Sequence, residues 1–424
     1  MRPMLPRIVA VLTCAAGGMF AGGPSGAEML EKIRAHAVET LEHLPNYLCR
    51  QTIERSVRKP GARRFTKLDT LRLDVALIGG KELYSWPGSP KFEEQSIEEL
   101  VGRTGALGTG TFALTVAHVF ALNASAFTFH GEEDGRGRKA LRFDFRVSQV
   151  NSRYIISDSE AEATIAYHGS FLADAETLEL IRLETYVDEV PSPISIKKAT
   201  HIIEYARVKI GQSELLLPQR SERVLLSAVG ESRNETRFDT CRQFVGESVI
   251  SFGEKSAADV RQPLQVVEIP AGLLVEMRLA TAISEKTSRG DSVRAILTKP
   301  LRAKNGAKLL PKEANLIGYV TRIERRKWGR LQYSVVGLTF HTAETATATV
   351  SFSGILEQVG DDANVYEQYH VPFIVDAGTQ STIWSNLHDE TETPKPNEGV
   401  FYVRGDILRV TPGLRLEWRT APQK

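Results

Sequence analysis

The sequence lacks most of the features that announce a chemistry. Three cysteines in 424 residues exclude a thiolate metal cluster and a disulfide-dense small scaffold. There is no surplus of charge: Lys and Arg number 53 against 52 Asp and Glu, for a net +1. A dedicated nucleic-acid binder needs a positive excess to release counterions, and an acidic solvating tail needs the reverse, so neither class fits. After the N-terminal segment no apolar run reaches the ~18 residues needed to span a bilayer. None of the nine histidines stands in a His-Glu-x-x-His pattern or beside a cysteine at zinc spacing, and no Gly-x-Ser-x-Gly elbow occurs. The sequence therefore predicts no enzyme, no metal and no cofactor. What is present is an ordinary globular composition, with 42% apolar and 8% aromatic residues, and a length suited to more than one domain.

The N-terminus reads as an export signal. Arg2 and Arg7 make a basic start, Ile8 to Ala21 is apolar, and Ser25-Gly26-Ala27 supplies the small residues a signal peptidase reads. Cleavage before Glu28 gives a signal peptide over 1–27 and a periplasmic or outer-envelope address. A short membrane anchor is the alternative, against which the length of the apolar run counts. Lipidation of Cys14 after Val11-Leu12-Thr13 is another, against which the bulk of Thr13 counts. Once Cys14 leaves with the signal, Cys49 and Cys241 remain as an even pair in an oxidising compartment. A bond between them is predicted; the alternative is two unrelated buried thiols.

Along the mature chain the period changes repeatedly. Leu30, Ile33, Ala37, Leu41 and Leu44 recur at helical spacing over 28–44, and Pro45-Asn46 stops them. From Tyr47 the period is two, but Gln51, Arg55 and their neighbours make the pattern only partly apolar, which predicts an edge strand. Leu71, Leu73, Val75 and Leu77 share one face of a cleaner strand, and Leu141, Phe143, Phe145 and Val147 share one face of another. Short helices are expected at 97–101 and 111–122. The expected fold is mainly β with a few helices: a strand-rich domain over 28–254, a polar linker at 255–265, and a second small β-barrel or sandwich over 266–424.

Several local clusters invite a chemical reading. The carboxylates Glu132-Glu133-Asp134 and Asp361-Asp362 read as solvated turns. Gly108-Thr109-Gly110-Thr111-Phe112-Ala113 fits a loose dinucleotide fingerprint but lacks a buried strand before it. Arg322, Arg325, Arg326, Lys327 and Arg330 surround Trp328; they are candidates for gripping an anion or a lipid surface, and otherwise cations that keep a hairpin edge soluble. Phe143, Phe145, Phe171 and Leu73 are candidates for lining a ligand cavity, and otherwise plain core.

Two family resemblances follow from particular stretches. Tyr167-His168-Gly169-Ser170-Phe171-Leu172, then Asp174-Ala175-Glu176-Thr177, then Leu180-Ile181-Arg182-Leu183 resembles the hairpin pattern of LolA/LolB-type lipoprotein carriers. It accompanies an opening amphipathic helix and a run of strands with an internal helical plug. This resemblance implies an antiparallel half-open barrel whose concave apolar face shields a lipid or a lipoprotein acyl chain. Ile269-Pro270-Ala271-Gly272 followed by Leu309-Leu310-Pro311-Lys312-Glu313-Ala314-Asn315-Leu316-Ile317-Gly318 resembles the pattern of TrbI-type secretion-channel barrels. Leu273 and Glu313 depart from it, and no membrane helix or proline-rich stalk precedes it. It therefore implies a stand-alone barrel module and an attachment or assembly role with an envelope protein partner. The expected function is a ligand-binding protein of the cell envelope, with a purely structural component whose barrels are filled as the alternative.

Overall fold

The computed structural model describes residues 26–422 apart from 79–80, 90–91, 93–96, 102–106, 112, 123, 136, 159–160, 188, 244–268, 329–330, 346–348, 361–364 and 368–396. Residues 1–25 of the expected signal peptide, Cys14, the expected linker at 255–265 and the Asp361-Asp362 pair lie outside the described residues.

The first half builds one sheet from β1 (Tyr47–Arg58), β2 (Thr66–Ile78), β3 (Lys81–Ser85), β4 (Ser125–Asp134) and β5 (Lys139–Val147), then, past the small ribbon of β6 (Ile155–Ser157) and β7 (Glu162–Thr164), from β8 (Tyr167–Asp174), β9 (Leu180–Val187), β10 (Ile196–Ile210), β11 (Ser213–Ser227) and β12 (Gly230–Gln243). Its ten strands run in the order β3-β2-β1-β12-β11-β10-β9-β8-β5-β4, with antiparallel neighbours. The sheet curls into a half-barrel, and β3 and β4 stay apart as its two ends. Consecutive meanders explain most of this order. Two joins are not meanders: β8 lies beside β5, past the β6–β7 ribbon, and at the seam between β1 and β12 the first strand meets the last.

Three helices cover the inner face: α1 (Gly26–Glu42), α2 (Ile97–Val101) and α3 (Leu114–Phe120). One apolar cluster joins Ile33 and Ala37 of α1 and Val116, Val119 and Phe120 of α3 to β5, β8, β9 and β10. A second joins Ile97, Leu100 and Val101 of α2 to β1 and β2. The second predicted helix is shorter than the sequence pattern suggested, because Gly110 and its neighbours form a loop rather than a first turn.

The edge expectation for the strand from Tyr47 is corrected: β1 lies inside the sheet, between β2 and β12. Its inward polar residues Gln51 and Arg55 are buried rather than wet. Arg55 is 1% exposed and its guanidinium donates two hydrogen bonds to the Asp69 carboxylate, 2.7 Å from Nε and 2.5 Å from Nη2. The turn expected at Glu132-Glu133-Asp134 is also corrected. These residues end β4, where Glu132 pairs with Lys139 and Glu133 with Arg142.

The second half builds a nine-stranded sheet. Its path runs through Gly354–Val359, Arg415–Thr420, Leu274–Leu279, Ser292–Leu297, Asn315–Trp328, Leu331–Glu344, Gly399–Arg404 and Val365–Glu367, and its two ends return to each other. Phe340, Phe401 and Trp418 fill the interior, with the Phe340 and Trp418 rings edge to face at 5.2 Å.

A turn of the second sheet completes the first. β3 pairs with β2 only along Asp74–Ile78, which leaves Thr70–Arg72 with a free edge. The 288–291 turn occupies it: Arg289 N–H donates to Thr70 O at 3.0 Å and Arg72 N–H donates to Arg289 O at 2.8 Å. The Arg289 side chain, 4% exposed, is held by Thr321 O at 2.9 Å, by Val101 O at the end of α2, and by Asp69 at 3.4 Å. Arg72 pairs with Asp291, and Trp86 stacks on Tyr319 at 6.4 Å.

Candidate functional site

Phe143, Phe145 and Phe171 come together beneath α3. The Phe143 and Phe171 rings stack at 5.1 Å, Phe120 meets Phe171 edge-on at 5.0 Å, and Phe145 contacts Phe127 at 6.3 Å. All three are at most 3% exposed. Burying a side chain of this size stabilises the fold by roughly 1.5–3 kcal/mol. Leu73, fully buried, sits in the other apolar cluster with Ile97 and Tyr47. The four residues therefore do not share one wall.

The apolar opening of the first sheet lies elsewhere, between α1 and the middle strands. Its walls include Ala37 and Leu41 of α1, Tyr47 of β1, Val116 of α3, Tyr205 of β10 and Leu216 of β11. The free room is about 30 Å³, space for roughly two waters. Only Ile33 and Ala37 of the 17 residues in α1 are fully buried, so the helix covers the crevice by thin apolar contact.

A buried hydroxyl in this wall makes no hydrogen bond, that of Tyr205. Tyr205 is 8% exposed and its phenolic oxygen makes no hydrogen bond. Burial first, and the Glu82 charge second, push its pKa upward, so the group stays a protonated donor. Sequence reading passed over Tyr205. The available signal was its place on the inward face of β10, in alternation with Ala199 and Ile203, where it brings a polar tip onto an apolar side.

Glu82 on β3 explains the glycine-rich loop. Helix α3 has no capping side chain of its own. The Glu82 carboxylate instead accepts from Gly110 N–H at 2.9 Å, Ala113 N–H at 2.9 Å, Leu114 N–H at 3.3 Å and the Tyr84 hydroxyl at 2.8 Å. The chain's own carboxylate thus stands where a dinucleotide phosphate would bind. Removing it leaves several donors unsatisfied, so Glu82→Ala is expected to cost about 1–3 kcal/mol. It should also raise amide exchange over 110–120, while Glu82→Gln, which keeps an acceptor, should lose less. Unchanged exchange in the alanine variant would refute the capping role.

The same loop rests on a buried imidazole. Thr111 Oγ1 and His201 Nε2 are 3.2 Å apart, a spacing that could suggest a nucleophile and its base. Yet Arg223 Nη2 lies 3.3 Å from His201 Nδ1 and 3.5 Å from Nε2, and donates to Thr109 O at 3.0 Å. Burial, then this cation, hold the His201 pKa well below its ordinary value. A ring that resists protonation is poorly suited to take a proton from Thr111. The trio fastens the loop to the sheet.

Cys49 and Cys241 are disulfide-bonded. A bulge makes this alignment: Leu48 faces Arg242 and Arg50 faces Asp239, so Thr240 and Cys241 together oppose Cys49, and Thr240 adopts a φ of 50°.

The basic hairpin does not present its cations as one face. Arg322 is buried and ion-paired with Glu398 at 3.4 Å, Arg326 pairs with Glu324 at 2.7 Å, and Arg325 pairs with Glu285. Lys327 is exposed. Arg330 and the Trp328 side chain lie outside the described residues. Among the described residues no helix is long and apolar enough to cross a membrane, and no group of three or more His, Cys, Asp or Glu could hold a metal ion.

No family model matches the chain, and no curated protein sequence matches it. Parts of it are similar to solved structures. A domain assigned to outer membrane lipoprotein sorting from Vibrio parahaemolyticus is 12% identical, with a TM-score of 0.31, over 51% of this chain and 94% of that one. A DUF1329 family protein from Desulfovibrio piger is 10% identical, with a TM-score of 0.30, over 52% and 95%. MucB in complex with MucA(peri) is 12% identical, with a TM-score of 0.18, over 89% and 93%. At these scores the likeness carries no functional argument.

Proposed function

We propose that this is an exported protein of the cell envelope, periplasmic or associated with the outer envelope, that shields an apolar ligand such as a lipid or a lipoprotein acyl chain between α1 and the inner face of its first sheet. The second barrel, read as a stand-alone TrbI-like module, would serve attachment or assembly with an envelope protein partner. The reading is of a binding protein with no chemical step. The observation that carries it is the apolar crevice under a helix of which Ile33 and Ala37 are buried while Met29, Leu30 and Leu41 pack only partly buried. An acyl chain needs more room than the crevice offers at rest, since ligand sites commonly run to roughly 300–1,000 Å³. Loading therefore requires α1 to lift. The cysteine bond across the sheet supports an oxidising compartment.

A structural envelope component with filled sheets is the second reading. It is favoured by the small resting volume and by the close aromatic cluster beneath α3. Uptake of a fluorescent acyl probe by the full chain, with native mass spectrometry of co-purifying lipid, separates the two. The carrier reading expects saturable uptake. Filling the crevice with Ala37→Phe should reduce it several-fold, and Leu122→Ala on the exposed surface should leave it unchanged. A folded protein that takes up no probe and carries no lipid leaves the structural reading standing.

A further inference from the structure

Resting on the carrier reading above, we infer that the crevice selects acyl chains whose head is a neutral hydrogen-bond acceptor, an ester or amide carbonyl, over free fatty acids, with Tyr205 as the donor that reads the head. Ala37, Leu41, Val116 and Leu216 make the crevice apolar around Tyr205, with Tyr47 on the same wall. The Tyr205 hydroxyl is buried in that wall without a partner, and a buried donor left unpaired is costly until an acceptor arrives. A ligand carbonyl supplies that acceptor.

The charge of the head is decided nearby. The Glu82 carboxylate lies just behind the crevice wall: it accepts from Ala113 N–H at 2.9 Å, and Ala113 lines the crevice. Its oxygens are already engaged by Gly110, Ala113, Leu114 and Tyr84, which fix it in place. A fatty-acid carboxylate beside Tyr205 would lose its hydration and face this like charge, whereas an ester meets neither cost. Two polar residues of α1 also border the crevice. Thr40 donates to His36 O at 2.8 Å and so is occupied within the helix.

The test compares an anthroyloxy-labelled stearic acid with its methyl ester at about pH 8, where a free carboxylic acid is ionised. Full-length protein is used, with folding checked by circular dichroism. The expected result is binding of the ester roughly tenfold tighter than the acid. Tyr205→Phe should weaken the ester by a similar factor and remove the preference. Glu82→Gln, which retains an acceptor for the loop, should strengthen the acid and leave the ester nearly unchanged, and it provides an independent readout if Tyr205→Phe does not fold. Equal binding of acid and ester by the wild type, or a preference that survives in folded Tyr205→Phe, overturns the inference and leaves the carrier reading intact. Failure of both probes to bind overturns both.

Discussion

Gly290→Val is expected to undock the second sheet from the first. Gly290 has a φ of +89°, a conformation that side chains rarely adopt, and a Cβ there would lie 2.0 Å from Arg72 O. The neighbour is backbone of β2 and cannot swing aside, so the 288–291 turn must leave the strand edge. With it go the hydrogen bonds to Thr70 and Arg72 and the seat of the Arg289 side chain. Arg289→Ala tests the same joint without backbone strain. Breaking a buried, hydrogen-bonded ion pair costs about 3–5 kcal/mol, although Asp69 retains Arg55 and the lower end is expected. Thermal unfolding should change from one coupled transition towards two, and scattering should show a larger radius of gyration. Either variant melting as the wild type does, with unchanged dimensions, would show that the joint contributes little.

The joint also has a pH sign. Burial alone would raise the Asp69 pKa, but Arg55 and Arg289 outweigh it and hold the carboxyl below its ordinary value. Its contribution is therefore fully present above the ordinary carboxylate pKa and is lost as pH falls through the lower folded value.

These two arginines also mark the limit of what the sequence discloses. Alternation alone located β2 and β5, because Leu71, Leu73, Phe143 and Phe145 face inward and their neighbours face out. Period and a terminating proline located α1. The strand from Tyr47 misled because Gln51 and Arg55 point inward too, and a buried charge is recognisable only when its partners are known. The partner of Arg55, Asp69, lies on the adjacent strand, and the second cation on Asp69, Arg289, arrives from a turn of the other sheet. The candidate site shows the same limit. The aromatic residues that stood out in the pattern turned out to be close-packed beneath α3. Tyr205 and Glu82, which shape the crevice, are single polar residues in ordinary strands, and their meaning depends on a fold that brings β3 and β10 to one loop. The basic hairpin was conspicuous in sequence, yet its carboxylate partners Glu285, Glu324 and Glu398 come largely from distant segments.

Cys49→Ser, Cys241→Ser or chemical reduction is expected to produce the largest loss of stability in the first sheet. The bond spans 192 residues and lies at the seam between β1 and β12, where the first strand of the sheet meets the last. Every other neighbouring pair from β8 to β12 is joined by a local connection that closes at small entropic cost. The seam must be closed by bringing the two ends of the domain together, and this is where a covalent link restricts the unfolded chain most. The chain-entropy relation gives an upper bound of about 5 kcal/mol for a loop of this length. The native sheet keeps its hydrogen-bond ladder on both sides of the bulge, so the serine variants should fold and melt much lower rather than fail outright. The transition of the second sheet should move less, and only through the Arg289 joint. Calorimetry of oxidised, reduced and serine forms checks this, together with a thiol count on the purified protein. Two free thiols in that protein, or a reduced form that melts with the oxidised one, would remove the bond from the account of stability. Because the combined effect of Gly290→Val and Cys49→Ser is measured across distant sites, near-additive losses would also show that the seam and the joint stabilise the first sheet independently.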